Sequence, residues 1–589
     1  MTITEQLPVW DLSDLYASAD DPRLQEEIRR VEGLAAEFDA RFRGRLQDPE
    51  NVAAALAAIE AIDQLFGRIR AYVYLEFSTD TGSHPFQSLL VRTDEIAAAL
   101  DERMVFFRLE LLKLPDDAFE AIRQSPLLAG YRNFIRHLGR YRPHQLEEKE
   151  EILISKKDIT GKSAFVRLYD EMTSAYTFGL TVDGKRQKLP ASALRALFYH
   201  PDAGVREQAV RVFYGRYRRD GAILTTVFNS IVKDHAIECR LRRFPDAVAP
   251  THLANQVEAP TIHRMMVRVA DAYPAVQAYY RLKAGIMGVP RVKGSDLYAP
   301  VGEAPQDIPF AEARRMVLDA FGRFDPEFGA LAGGFFDGDR VHAEVRAGKR
   351  GGAYCYSPGP AVHPFVLVNY TGNARDVFTL AHELGHGLHG RLAAGQTYLN
   401  YHPPTVAAET ASVFGEMLLA EALRGRLERR EQRIWFLCHK LEDTIATVFR
   451  QTMYTLFEER VHARIGESIL SAAEVGQAWW EEQARLYGDA VEFLPLQRWN
   501  WAAIPHFFHS RFYCYAYSFG ELFVLSLYRK YKEEGAPFIE EYKALLRAGG
   551  SASPYELAAS VGEDLDSDGF WEKGLSAIRE MVTELESEL

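Results

Sequence analysis

Apolar residues recur at intervals of three and four through most of this chain, and that period commits it to stacked amphipathic helices. The segments from Asp21 to Arg43 and from Val52 to Leu75 carry the pattern, with Ala, Glu, Arg and Gln between the apolar positions. Between residues 429 and 465, Ile434, Leu437, Leu441, Ile445, Val448 and Phe449 predict one long helix. Two stretches break the period. Thr177 to Lys188 alternates around Asp183-Gly184, a hairpin signal. Pro364 to Tyr370 reads as a strand after the Gly- and Pro-rich run GKRGGAYCYSPGP. The fold class expected is mainly α with a little β-structure. A domain boundary falls near Pro190, where the hairpin ends and a new helical run begins, dividing the chain into residues 1–190 and 191–589.

Composition then narrows the function classes. The 589 residues are 47% hydrophobic and 26% charged, ordinary for a globular protein and far from disorder. A net charge of −13 argues against a nucleic-acid binder, which carries a basic excess. Cys239, Cys355, Cys438 and Cys514 lie far apart with no CxxC spacing, which disfavours a disulfide scaffold or a cysteine-rich metal site. The N-terminal MTITEQLPVWDLSDLY lacks the basic start and apolar run of a secretory signal, so a cytoplasmic location is expected. No uncharged apolar stretch approaches 18 residues, so no membrane span is expected.

The chemistry sits in NARDVFTLAHELGHGLH, residues 373–389. Asn373 can cap a helix, with Asp376 in capping-box position. Val377, Leu380, Ala381, Leu384 and Leu388 then share one face, which is expected to be buried. His382 and His386, four apart, project from the opposite face and can share one tetrahedral metal ion. Glu383 lies about 100° further round, placed to act as general base on the attacking water. Composition alone yields His-acid-x-x-His about 0.07 times in such a chain, so context has to carry the argument. The bland alternative is a packed helix whose histidines bond to carbonyls. Against it stand the opposed faces, and Gly385 and Gly387, each of which weakens the helix by roughly 1 kcal/mol and so suggests a close backbone neighbour.

Two histidines need a third ligand. Position 392 is Leu, which excludes a continuation His-x-x-Gly-x-x-His, and His389 lies too far along the helix axis to join. A glutamate from a following helix remains. PPTVAAETASVFGEMLLAEAL supplies Glu409, 409 − 386 = 23 residues after the second histidine and far enough for the chain to reverse. Glu416 shares its face, either supporting a ligand by hydrogen bonding or standing in solvent.

HELGHGLHG followed by AAETASVFGE resembles the oligoendopeptidase F branch of the thimet oligopeptidase family of zinc peptidases. PVWDLSDLY, the region from Asp158 to Lys188, GKRGGAYCYSPG before PFVLVNY, and IPHFFHSRFYCYAYSFGE are similar too, so the resemblance runs over nearly the whole chain. It implies two helical halves flanking a deep substrate channel, residues 1–190 being the oligoendopeptidase F type N-terminal domain and 191–589 the catalytic one. It also implies one Zn²⁺ per chain, held by His382, His386 and Glu409, with Glu383 as the catalytic carboxylate.

On a helix starting near Pro505, His506, His509, Tyr513 and Tyr517 would share one side, and Phe508, Phe512, Tyr515, Phe519 and Leu522 the other. The second side reads as core, Tyr515 included. The first suits an oxyanion, which needs phenol or imidazole donors, and the family uses a histidine and tyrosines from this region. His506, Tyr513 and Tyr517 are therefore the further catalytic candidates, while His509 has no assigned role.

The reading that follows is a zinc endopeptidase acting on unstructured peptides of roughly 5 to 20 residues, paired in extended form along a strand edge near Phe365 to Tyr370. A carboxypeptidase or peptidyl-dipeptidase of the same fold is the alternative within the class. A helical binding protein is the alternative outside it, disfavoured because such a module has no use for Glu383. No nucleic-acid or membrane partner is expected.

Overall fold

Proline marks where the first two helices begin. Its fixed φ suits the first helical position, where its missing N–H costs nothing. The preceding Asp21 and Asp48 side chains accept the Arg23 and Asn51 amides. Helix α1 (Pro22–Phe42), α2 (Pro49–Thr79) and α3 (His84–Lys113) follow in this computed structural model, which describes residues 6–182, 184–305 and 308–589. Ile28, Val31, Ala35 and Phe38 of α1 pack in one buried cluster with Val52, Leu56 and Ile62 of α2 and Phe106 of α3.

The expected hairpin forms from β1 (Thr177–Val182) and β2 (Lys185–Pro190), antiparallel with Val182 opposite Lys185. Gly184 takes φ +73°, the left-handed turn conformation that glycine permits. Asp183, the other half of the predicted turn, lies outside the described residues.

Helices α4 (Phe310–Phe324) and α5 (Pro326–Asp337) lead into a three-stranded sheet of β3 (Val341–His342), β4 (Tyr354–Tyr356) and β5 (Phe365–Leu367). Its order is β3-β5-β4, with β5 parallel to β3 and antiparallel to β4. The expectation that the Phe365–Tyr370 stretch offers a free edge is therefore corrected. β5 is the central strand, and Phe365, Val366 and Leu367 are completely buried. A short run of Val, Leu and Phe between two partners looks the same in sequence as an edge strand, because pairing is decided elsewhere in the chain. Along the β3 side, the Ala343 and Asp11 amides bond to Pro8 and Asp339 carbonyls, so β4 carries the sheet's outer edge.

After the sheet come α6 (Ala374–Leu392) and α7 (Thr410–Arg424). The long helix expected over 429–465 is present as α8 (Arg430–Thr444) and α9 (Arg450–Glu467), joined by a π-helical turn at Ile445–Phe449. The C-terminal region holds α10 (His506–His509) and α11 (Tyr515–Glu534). No helix among the described residues is long and apolar enough to cross a membrane, and the four cysteines are unpaired.

The chain gathers into two compact units, each assembled from three stretches of sequence. One takes Met1–Arg142, Ala304–Arg426 and Lys530–Asp564; the other takes Pro143–Glu303, Leu427–Arg529 and Leu565–Leu589. The junction expected near Pro190 falls inside the second unit. A hairpin and a change of composition mark local turns, whereas a unit is defined by packing between distant segments.

Candidate metal centre

Asn373 caps α6 by accepting the Asp376 amide at 3.0 Å. The reciprocal half of the capping box is not made, because the Asp376 carboxylate turns to the Thr371 amide and hydroxyl instead. Val377, Leu380, Ala381, Leu384 and Leu388 form the buried face, as their spacing predicts. His382 and His386 project from the other side and remain about one quarter exposed.

Gly385 explains how a second helix comes close enough, and Gly387 makes room on the α5 side. A Cβ on Gly385 would lie 2.5 Å from the Ala411 carbonyl oxygen and the Ser412 Cα, and one on Gly387 would strike the Phe335 ring. Any side chain at 385 would push α7 away. With glycine there, α7 starts against the histidines and brings Glu409 to them. Glu409 occupies the capping position just ahead of α7, one residue outside the helix that was expected to contain it.

Glu409 Oε2 stands 3.3 Å from His382 Nε2 and 3.3 Å from His386 Nε2. Ligands about 2.1 Å from a tetrahedral ion are about 3.4 Å apart, so this donor set fits one zinc-sized ion. Among the described residues this is the group of three or more metal-ligating side chains whose donor atoms converge, all within 4.8 Å. Glu416, one face-repeat further along α7, accepts a 2.8 Å hydrogen bond from His382 Nδ1. A carboxylate only accepts, so Nδ1 carries a proton and Nε2 is the nitrogen that faces the ligand group.

The electrostatics favour positive charge at this point. Burial pulls the His382 pKa down, but the hydrogen bond and charge of Glu416, with Glu409 and Glu383, carry it up to about 9. Glu409 is raised by burial yet held at about 2 by the His386 hydrogen bond and the two imidazoles. Glu383 moves the other way. Burial raises its pKa more than His382 and His386 lower it, and the neighbouring Cys355 amide offsets only part of that rise. The group is thus a buried, oriented carboxylate of raised proton affinity beside the ligand set, as a general base requires.

His382, Glu383 and His386 line one cavity of about 410 Å³, which also includes Cys355 and Ser357 from the β4 side and His389, Tyr401 and His402. His389 is buried with its pKa depressed to about 3 by desolvation, and it does not join the ligand group. Sequence reasoning missed the Cys355 amide and Ser412, whose hydroxyl donates to Glu409 Oε2 at 2.6 Å. Ser412 follows Glu409 by three residues, a spacing at which a first-turn hydroxyl reaches back, so a signal for it was present.

In the second unit, the continuous helix expected from Pro505 is interrupted. α10 ends at His509, α11 begins at Tyr515, and Phe512 between them takes φ +55°. His506, Tyr513 and Tyr517 nevertheless come together. Tyr517 Oη lies 3.3 Å from His506 Nε2, the His506 and Tyr513 rings are parallel, and Tyr513 meets Tyr517 edge-on at 5.2 Å. Desolvation, with the nearby His509, lowers the His506 pKa, so the imidazole is neutral near pH 7. Tyr515 is fully buried, and its hydroxyl accepts from Asn255 Nδ2 at 2.8 Å. His509 is at the surface, where Nε2 meets Asp170 at 2.8 Å.

Two family models match the chain: peptidase family M3 over residues 329–577, and oligopeptidase F over residues 110–178. Oligopeptidase PepF of Bacillus subtilis is 26% identical over 98% of this chain and 86% of its own length. An oligoendopeptidase F homolog of Lactococcus lactis is 24% identical over 99% and 97%. A crystal structure from Chlamydophila abortus superposes with a TM-score of 0.88 at 21% identity, covering 99% of this chain and 98% of that one. Oligoendopeptidase-F from Enterococcus faecium superposes at 0.71 with 24% identity, covering 96% and 97%. These superpositions share the mainly helical fold with small sheets described above.

Proposed function

Since the chain belongs to peptidase family M3, in its oligoendopeptidase F branch, we propose that it is a zinc-dependent endopeptidase cutting internal bonds of short, unstructured oligopeptides. His382, His386 and Glu409 would hold the ion. When bound, zinc supplies Lewis-acid polarisation of the scissile carbonyl and of water.

The chain's own residues do the rest. Glu383 takes the proton of the attacking water and hands it to the leaving amine. Glu416 keeps His382 in the tautomer that presents Nε2. Ser412 and the two imidazoles keep Glu409 ionised. An extended peptide main chain pairs with the outer edge of β4, whose Tyr354 and Cys355 line the same cavity. His506 with Tyr513 and Tyr517 provides imidazole and phenol donors for the oxyanion.

One observation carries the reading: three donor atoms converge within 4.8 Å, Glu409 Oε2 standing 3.3 Å from each imidazole nitrogen, and the buried, raised-pKa carboxylate of Glu383 shares a cavity with both histidines. The test is mass spectrometry of digests of a peptide length series built on one cleavable core, alongside a folded domain bearing that core in a loop. Internal cuts in the short peptides and none in the folded domain are expected. Release only of C-terminal residues or dipeptides would point to the exopeptidase alternative, and no cleavage by zinc-loaded protein to a binding protein.

A further inference from the structure

One face of α2 carries Asp63, Phe66, Gly67 and Arg70, at i, i+3, i+4 and i+7. It walls a second cavity of about 390 Å³, closed on the other side by Cys355 to Pro358, Tyr398 and His402. Cys355, Ser357 and His402 also line the metal cavity, so the two spaces adjoin across these three residues, all in the first unit.

The charges in this cavity are unequally matched. Glu60, one turn before Asp63, spends its carboxylate on the Leu399 amide and the Tyr131 hydroxyl. Arg70 stands half exposed and pairs loosely with Asp94 at 3.6 Å. Asp63 is half-buried, and among the described residues its carboxylate makes no hydrogen bond or ion pair. Desolvation, with the nearby Asp101 and Glu60, pushes its pKa up to about 6. The remaining titratable groups that face the cavity are the Tyr398 phenol, raised mainly by burial to about 12, the Tyr356 phenol and the Cys355 thiol, both raised mainly by burial, and His402, which burial holds neutral. A half-buried carboxylate without a partner gains from any cation that reaches it. The Phe66, Tyr356 and Tyr398 rings around it suit the apolar stem of a long basic side chain.

We infer that this cavity is a substrate subsite for a cationic group, a lysine or arginine side chain or the peptide's α-ammonium, with Asp63 as its counter-charge. The inference rests on the peptidase reading and adds to it a preference that the metal centre does not dictate. The preference fades as pH falls through about 6, where Asp63 takes up a proton and loses its charge.

The experiment uses the zinc-loaded full chain and a set of peptides with one core. Lysine is scanned against norleucine through each position, and each peptide is made with a free and an acetylated N-terminus. In the wild type, lysine at one position, or the free N-terminus, should raise kcat/KM by about tenfold, the worth of one partly buried ion pair. Whichever of the two responds identifies the source of the charge. Asp63→Asn should bring that ratio to about one, and Asp63→Lys should invert it in favour of glutamate at the same position. A wild type that cuts the norleucine peptides but shows no preference anywhere, or a preference that survives both substitutions, overturns the subsite while leaving the peptidase reading intact. Failure to cut any peptide overturns both.

Discussion

The α6–α7 pair and the segment from His506 to Tyr517 both assemble imidazoles with acidic or phenolic groups, but they are built in opposite ways. In α6 the histidines lie on an uninterrupted helix, and the approach of α7 is set by Gly385. The ligand geometry there needs no strained residue. In the second segment the helix breaks, and Phe512 is held in the left-handed region, at a cost of about 1–3 kcal/mol for a bulky residue. That conformation is supported from below. The Phe512 amide donates to Glu458 at 2.9 Å, and its ring packs on His462 at 4.5 Å, both in the buried interior. A metal centre can be placed by rigid helix packing alone. The donor cluster, with Tyr513 next to the strained residue, depends on a buried polar prop several residues of structure away.

The sharpest way to break this contrast is at Glu383. Glu383→Gln should keep the fold and the zinc content but lower kcat by about 10²–10⁴-fold, because an amide cannot accept the proton. Unchanged turnover would remove the general base. Next comes the donor cluster: Tyr517→Phe should lower kcat by about 10²–10³-fold with little change in KM. Tyr515→Phe should leave kinetics nearly intact and cost about 1–3 kcal/mol in stability, since it strands the buried Asn255 amide. The reverse pattern in steady-state kinetics would exchange the roles of the two tyrosines.

A smaller effect is expected at Glu416. Glu416→Ala should weaken zinc affinity by about 10–100-fold without abolishing it, as measured by chelator competition. Wild-type affinity would show that the hydrogen bond to His382 has no bearing on the ion.

The smallest effect concerns the prop itself. Desolvation raises the Glu458 pKa from 4.5 to about 8, outweighing the Phe512 amide and Arg511. The folded state therefore holds this proton more tightly than the unfolded state. The stability it contributes is complete below about 4.5 and is lost as pH rises towards 8. Glu458→Gln keeps an acceptor for Phe512 without the charge, so its Tm should exceed the wild type's at pH 8 by roughly 2–4 °C and by less at pH 5. An equal difference at both values would contradict the account.

The same contrast explains what the residues disclosed in advance. The buried face of α6, the paired histidines, the reach to Glu409 and the close neighbour behind Gly385 all follow from a regular 3.6-residue period and a chain reversal. The grouping of His506, Tyr513 and Tyr517 was also legible, but the continuous helix that argued for it is absent. Phe512 gives no local signal of a positive φ, because its cause is Glu458, 512 − 458 = 54 residues earlier. The central position of β5 and the three-part composition of each unit were hidden for the same reason. Both are decided by partners far away in sequence, and a local pattern of Val, Leu and Phe is compatible with more than one pairing.

The central claim is that one zinc held by His382, His386 and Glu409 makes this chain a peptidase. The direct measurement is a titration of metal-stripped protein with zinc while internal cleavage of a short peptide is followed. Activity should rise linearly and stop at one equivalent per chain in the wild type, and should fail to rise at those concentrations in Glu409→Ala. Cleavage by the metal-free protein, or a full response in Glu409→Ala at one equivalent, would contradict it.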